Sequence, residues 1–406
     1  MKIGTRGFKG QRLVEARKAR GLSVIALSEL TGLSRAAIYQ YENNEQAPRG
    51  AILEQLSKIL HIPEAYFTSD LTTFTSNVIF YRSMSSATKT ARERAESRFL
   101  WLKLITSYLR QYIGFPIVNL PAFSTPNEPV KISNEEIEKM ASESRKHWNL
   151  GDGPISDTVN LLERNGVIVA RDTLDADTLD AFSEYYEPNA TPYIVLGDDK
   201  KVSVRSRFDA CHELAHLILH SKIKKDILKK TPEFKLIEAQ ANYYAGAFLL
   251  PAHVFAKEFY TVNMDLLKKL KLRWRVSIKM MIKRAFDLNL VSSDQARNLY
   301  INYSKRKWSM QEPYDNELII EQPLLIRKAF ELLLNKSIAK REDVFSNLPL
   351  PQKDIESLAG LTSGFLSVNQ KEIEPNIYII TSVNSNKPRE LNATHPVNII
   401  PFKKRD

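Results

Sequence analysis

The sequence predicts a mainly α-helical chain with a small β-sheet, an α+β fold class, on three observations. Residues 8–67 place apolar side chains at helical spacing. Short runs rich in β-branched and aromatic residues gather between residues 166 and 197. Helical periodicity then returns at Phe208 and persists to Tyr303.

With 406 residues the chain has room for two or three domains with their own cores. Hydrophobic residues at 43% and charged residues at 26% are ordinary for a soluble globular protein. No apolar run approaches the roughly 18 residues of a spanning helix, so no membrane partner is expected. The opening MKIGTRGFKGQRLVEARKARG lacks the apolar core of a secretory signal. The lone cysteine, Cys211, cannot make an internal disulfide, which fits a reducing compartment; the expected location is the cytoplasm. A net charge of +11 points to an acidic partner, with nucleic acid the first candidate.

The N-terminal helices rest on Leu13, Ala16, Ile25, Leu27, Leu30, Leu33, Ile38, Leu53, Leu56 and Leu60, with Ser23 and Ser34 where N-caps belong. LTTFTSNVIFYRS (71–83) reads as a connector. A helix follows over 86–113, with Phe99, Leu102, Ile105, Leu109 and Ile113 on one stripe. Proline-rich FPIVNLPAFSTPNEP (115–129) marks a boundary. Helices are expected over 134–148 and 155–165, and strands at GVIVA (166–170), LDAFSEYY (179–186) and PYIVLG (192–197). Helices resume from 208, over 233–250 and through 266–303. The tail ends on strand-like NIYIITSV (376–383) and VNIIPF (397–402). These signals divide the chain into 1–70, a connector and long helix over 71–130, a third domain over 131–305, and a mixed α/β region over 306–406 with no readable role.

Within GLSVIALSELTGLSRAAIYQYENNEQAPR (21–49), a helix from Ser23 to about Leu30 meets a turn at Gly32, and a second helix begins at Ser34. Glycine suits that turn because a side chain would be strained at positive φ. Ala26, Leu30, Leu33, Ile38 and Tyr41 are the expected shared core. Arg35, Ala36 and Gln40 then face outward on the early second helix, where base edges in a major groove are read. Residues 8–67 resemble the Xre/Cro-type helix-turn-helix domain of phage repressors. The resemblance implies DNA binding through Arg35, Ala36 and Gln40, and a structural ion pair between Arg17 and Glu42. Val24 departs from it, standing where many relatives place a phosphate-contacting glutamine.

The second motif is FDACHELAHLILH (208–220). His212 and His216, four apart, project from one helical face and can reach a single ion at about 2.0–2.1 Å. Glu213 sits beside them, placed to move a proton between an activated water and a leaving amine. Such an HExxH pattern arises by chance in on the order of 1 in 100 chains of this length, so it needs support. A catalytic zinc site wants three protein ligands and an open position. IEAQANYYAGAFLLP (237–251) offers Glu238 on a second helix, with Asn242 on its face as a partner to orient a histidine. Other helical glutamates could serve, but Glu238 lies in an apolar segment where an uncompensated carboxylate is costly.

RSRFDACHELAHLILH (205–220) joined to EAQANYYAGAFLLP (238–251) resembles the ImmA/IrrE family of metallopeptidases, a likeness extending over roughly 75–300. It implies a gluzincin-like metallopeptidase domain behind the repressor-like one. It also implies His212, His216 and Glu238 as metal ligands, with Glu213 as general acid/base. The cofactor implied is Zn2+, with Mn2+ or Fe2+ able to use the same donors. A small sheet is implied whose edge strand pairs with an extended substrate, PYIVLG being the candidate strand. Some members of the family cut a repressor. The expected partners are therefore a double-stranded DNA operator and a repressor-type protein substrate, with a homodimer as a candidate assembly. The substrate could equally be a related chain or this chain's own connector around 70–85. The expected function is a transcriptional regulator fused to a metal-dependent endopeptidase; the alternative is a DNA-binding regulator whose metallopeptidase-like domain only senses a ligand, metal or partner.

Several neighbours invite other readings. His220 reads as a helix-end histidine satisfied by hydrogen bonds rather than a third ligand, and Cys211 as a small buried residue. Arg205 and Arg207 serve equally well as substrate anchors or helix anchors. Tyr243, Tyr244 and His253 are the candidate oxyanion donors.

Overall fold

The computed structural model describes residues 4–70, 76–81, 88–174, 180–186, 191–223 and 231–367. The expected strands at 376–383 and 397–402, and most of the basic run at 222–230, lie outside them. The described residues form a mainly helical α+β fold of seventeen helices and four strands.

Five helices open the chain: α1 (Gly10–Ala19), α2 (Val24–Thr31), α3 (Arg35–Glu42), α4 (Gly50–Leu60) and α5 (Glu64–Thr68). Ser23 and Ser34 accept hydrogen bonds from the Ala26 and Ala37 amides, closing the first turns of α2 and α3. Gly32 ends α2 at φ 68°, a left-handed conformation that glycine adopts without strain. Leu13, Ala16, Leu27, Ile38, Leu53, Leu56 and Leu60 are buried at the centre. Ile25 and Leu30 are not part of that core, being 46% and 57% exposed. The short α2 is phased by Leu27 and Thr31, one turn apart and both buried, which turns those two side chains outward.

Next come β1 (Ser76–Tyr81) and the long α6 (Lys89–Leu109). The expected connector over 71–83 thus contains a strand. Its β-branched and aromatic VIFY core suits extended backbone, and pairing to a sheet decides between loop and strand. Trp101 of α6 reaches back to the bundle, its Nε1 donating to Tyr66 Oη at 2.9 Å. Tyr66 in turn donates to Glu15 Oε2 at 2.9 Å. The first bundle is therefore packed onto α6 through buried groups.

The chain continues through α7 (Asn134–His147), α8 (Thr158–Arg164), β2 (Ile168–Asp172), β3 (Ala181–Tyr186) and β4 (Thr191–Gly197). The four strands make one sheet in the order β1-β3-β4-β2. β1 and β4 pair antiparallel to β3, and β2 pairs parallel to β4. PYIVLG, the expected edge strand, is central: β4 is hydrogen-bonded on both sides, and β1 and β2 are the edges.

Strand alternation sorts the sheet into two faces. Val169, Ala181, Ile194 and Leu196 join one core with α9 (Ser203–Leu219), α10 (Thr231–Leu249) and α7. Ile168, Ala170, Phe182, Tyr193 and Val195 join the other with α6 and the N-terminal bundle. The first core is closed by α11 (Ala252–Glu258), α12 (Met264–Trp274), α13 (Ile278–Asp287) and α14 (Ser293–Lys305). The second is closed by α15 (Leu325–Asn335), α16 (Arg341–Asn347) and α17 (Gln352–Ala359), through Ile326, Phe330, Leu333, Val344 and Ile355. After residue 305 the described chain is irregular to 324 and then helical from Leu325 to Ala359, and these helices share a core with the first bundle.

Candidate metal centre

α9 and α10 lie against each other under the sheet, and their contact assembles the site. His212, Glu213 and His216 are fully buried on α9, which faces β3 and β4. On α10 the buried stripe is Ile237, Ala241, Tyr244 and Ala245, with Glu238 on its flank, its side chain 15% exposed. Small residues on that stripe let the two helices approach closely enough for Glu238 to reach the histidines.

The donors fit one ion. His212 Nε2 and His216 Nε2 are 3.1 Å apart. Glu238 Oε2 is 3.4 Å from His212 Nε2, and Glu238 Oε1 is 3.1 Å from His216 Nε2. Ligands about 2.0–2.1 Å from a tetrahedral ion stand roughly 3.3 Å from one another, the spacing found here.

Hydrogen bonds behind the histidines fix which ring nitrogen faces the centre. Gln240 Nε2 donates to the Val130 carbonyl at 2.8 Å, so its Oε1 points to His220 Nε2, 2.9 Å away. That oxygen only accepts, so His220 carries its proton on Nε2. Burial, reinforced by the neighbouring His216, pushes the His220 pKa down to about 3 and keeps the ring neutral. His220 Nδ1 is then an acceptor, and the proton in its 3.0 Å contact with His216 Nδ1 belongs to His216. The lone pair of His216 is left on Nε2, facing His212 and Glu238.

Glu213 is held from the sheet side. Ser183 of β3 donates from Oγ to Glu213 Oε2 at 2.7 Å. Ser183 and Gln240 both escaped the sequence reading. The alternation of LDAFSEYY, which turns Ser183 to the same face as Ala181, and the His-x3-His-x3-His repeat over 212–220 were the available signals.

Asn242 does not orient a histidine. It is exposed, and its Nδ2 donates to the Glu238 carbonyl oxygen at 2.7 Å, one turn back along α10. The flank that lets Glu238 reach inward carries Asn242 past the edge of the α9 contact. Cys211 is buried, and burial pushes its thiol up to about 12, which suits packing and not redox chemistry. Arg207 is a helix anchor: it pairs with Glu321 and donates to the Ile155 carbonyl at 2.7 Å. Arg205 pairs with Asp180 at 2.6 Å. Tyr243 donates to Glu138 at 3.0 Å, buried Tyr244 to Ser144 at 2.7 Å, and exposed His253 lies 3.2 Å from Asp152. Each of the three expected oxyanion donors is therefore engaged with another side chain.

In the N-terminal bundle, Arg35 and Ala36 are exposed at the start of α3, and Gln40 is half-buried. Tyr39, one turn after Arg35, is 60% exposed on that surface and was not expected there. Arg17 and Glu42 form a two-bond pair at 2.6 and 3.0 Å.

Two segments of the chain match family models. Residues 162–286 match the IrrE N-terminal-like domain. The match, to a peptidase family, spans β2 to α13 and so includes every residue of the candidate metal centre. Residues 13–67 match the helix-turn-helix model, so the order is a DNA-binding domain followed by an IrrE-like domain. No curated protein matches the chain. Among the described residues, no helix is long and apolar enough to cross a membrane.

Proposed function

We propose that the chain is a cytoplasmic transcriptional regulator whose IrrE-like domain is a metal-dependent endopeptidase acting on a repressor-type protein. The observation that carries this reading is the buried trio His212, His216 and Glu238, spaced for one ion, with Glu213 held beside it by Ser183. His212, His216 and Glu238 would hold a zinc-type ion, which when bound would supply Lewis acidity to a carbonyl and a water. Glu213 takes a proton on its carboxylate and returns it to the departing amine. Ser183 fixes the rotation of that carboxylate, and the His220–Gln240 chain keeps His216 in the ligating tautomer. Mn2+ or Fe2+ would use the same donors. The helix-turn-helix domain brings the peptidase to an operator, with Arg35, Ala36 and Gln40 toward the major groove, as a monomer or a homodimer.

The test pairs the purified protein with Glu213→Gln. Both should hold about one ion per chain by elemental analysis, and only the first should cut repressors encoded nearby, the products being mapped by mass spectrometry. Cleavage by Glu213→Gln would overturn the mechanism.

One observation favours a second reading, a regulator that uses the centre to sense. Arg20 of the DNA-binding domain pairs with Asp354 of α17 at 2.8 Å, Asp354 with Arg98 of α6 at 2.6 Å, and Arg98 with Asp172 of β2 at 2.5 Å. A rearrangement of the sheet would be felt in α1. Operator affinity that changes with metal loading in Glu213→Gln would support sensing.

A further inference from the structure

The match to the IrrE N-terminal-like domain begins at residue 162, so β2, β3 and β4 belong to it and β1 does not. In that three-stranded unit β3 is an edge, and it is the strand whose Ser183 holds Glu213. The other edge, β2, packs against α15 and α17. In this chain β1 is paired along β3, antiparallel, with Phe80 opposite Ser183 and Tyr81 opposite Phe182.

An exposed strand edge offers a row of unpaired amides and carbonyls, and extended peptides bind such edges by adding a strand. We propose that residues 76–81 occupy, in cis, the position an extended peptide substrate takes along β3, so that substrate must displace β1 to reach the metal centre. The identity of that substrate as a peptide rests on the peptidase reading above. Three features fit an occupant over a permanent strand. β1 lies outside the matched domain, between the DNA-binding bundle and α6. Its register passes the residue that orients Glu213, in the direction opposite to β3. Its pairing is broken between Ser76 and Ile79 by a register shift, and such an irregularity interrupts the ladder and weakens the hold of the strand.

The experiment reads binding, not hydrolysis. A fluorescein-labelled peptide with the sequence of residues 74–83, FTSNVIFYRS, is titrated by anisotropy into the full-length Zn2+-loaded Glu213→Gln protein. The same titration is made into Glu213→Gln combined with Ile79→Pro, since proline lacks the amide and resists a paired strand. A third protein replaces residues 76–81 with alternating glycine and serine, in case the proline disturbs folding. Hydrogen exchange is followed at β3 and β4 in all three. The expected result is peptide binding at least tenfold tighter in both β1 variants than in the parent. β3 amides should lose protection while β4 amides keep it, because removing a competing occupant raises the fraction of chains able to bind. Equal affinity in all three proteins, or binding to none, overturns the proposal. Loss of β4 protection in both variants also overturns it, by showing β1 to be a structural strand. An inactive centre leaves this experiment readable, and active cleavage of a repressor can be found even if β1 proves immovable.

Discussion

On the α6 face of the sheet, Arg20, Arg98 and Lys103 meet Asp172, Asp354 and Glu184 in contacts of 2.5 to 3.0 Å. On the α9 face, Glu213 and Glu238 are gathered with three imidazoles, His212, His216 and His220. The first cluster balances three cationic with three anionic side chains. In the second, Glu238 faces His212 and His216 and Glu213 accepts from Ser183, a donor set that a divalent cation would complete. One face of the sheet uses its buried charge to hold elements together, and the other gathers donors spaced for one divalent cation.

The largest expected effect lies at Lys103 and Glu184, a pair buried on both sides. Burial pulls the Lys103 pKa below its usual value against the pull of Glu184. Glu184→Ala strands the ammonium and should cost about 3–5 kcal/mol in urea unfolding. Lys103→Met with Glu184→Leu should recover most of that loss, because the cost lies in the unpaired charge. On the metal face the corresponding test is Gln240→Ala. It should weaken metal affinity about 10–100-fold, read by competition with a chelator, through loss of the His220 and His216 orientation. Asn242→Ala, the partner suggested by helical spacing, should leave metal affinity unchanged and shift stability by less than about 0.5 kcal/mol.

Glu163 shows a third treatment of a buried carboxyl, held by backbone amides with Lys328 only a minor influence. Its oxygens accept from the Leu324 and Leu325 amides at 2.9 to 3.0 Å. Burial outweighs those amides and pushes its pKa up to about 7. The folded state therefore holds this proton more tightly than the unfolded chain. The contribution is fully present below the ordinary value near 4.5 and is lost as pH rises through about 7. Unfolding free energies from urea titrations at pH 5 and pH 7 should differ by on the order of 2 kcal/mol more in the parent than in Glu163→Gln.

Much of this was legible in one dimension because it depends on local chemistry. N-caps at Ser23 and Ser34, the turn at Gly32, and the four-residue spacing of His212 and His216 follow from helix geometry, which a sequence states directly. Leu30 and Asn242 were placed by helical period alone, and PYIVLG was taken as the edge strand that the resemblance implies. Period gives the faces of a helix but not which one a neighbour covers, and chain order does not give strand order. The acceptor behind the histidines, Gln240, lies on a helix 20 residues from His220 and meets it only in the fold. Likewise Glu321, after the expected end of the third domain, receives Arg207 and the Thr158 amide, a contact across 114 and 163 residues.

Helices, their caps and two histidines on one helical face were set by the sequence, since each depends on residues within a turn of one another. Only the tertiary structure decided that Glu238 reaches those histidines, that Ser183 holds Glu213, and that β1 lies along β3. Those contacts depend on how separate elements approach, and that is set by the packing of two cores around one sheet.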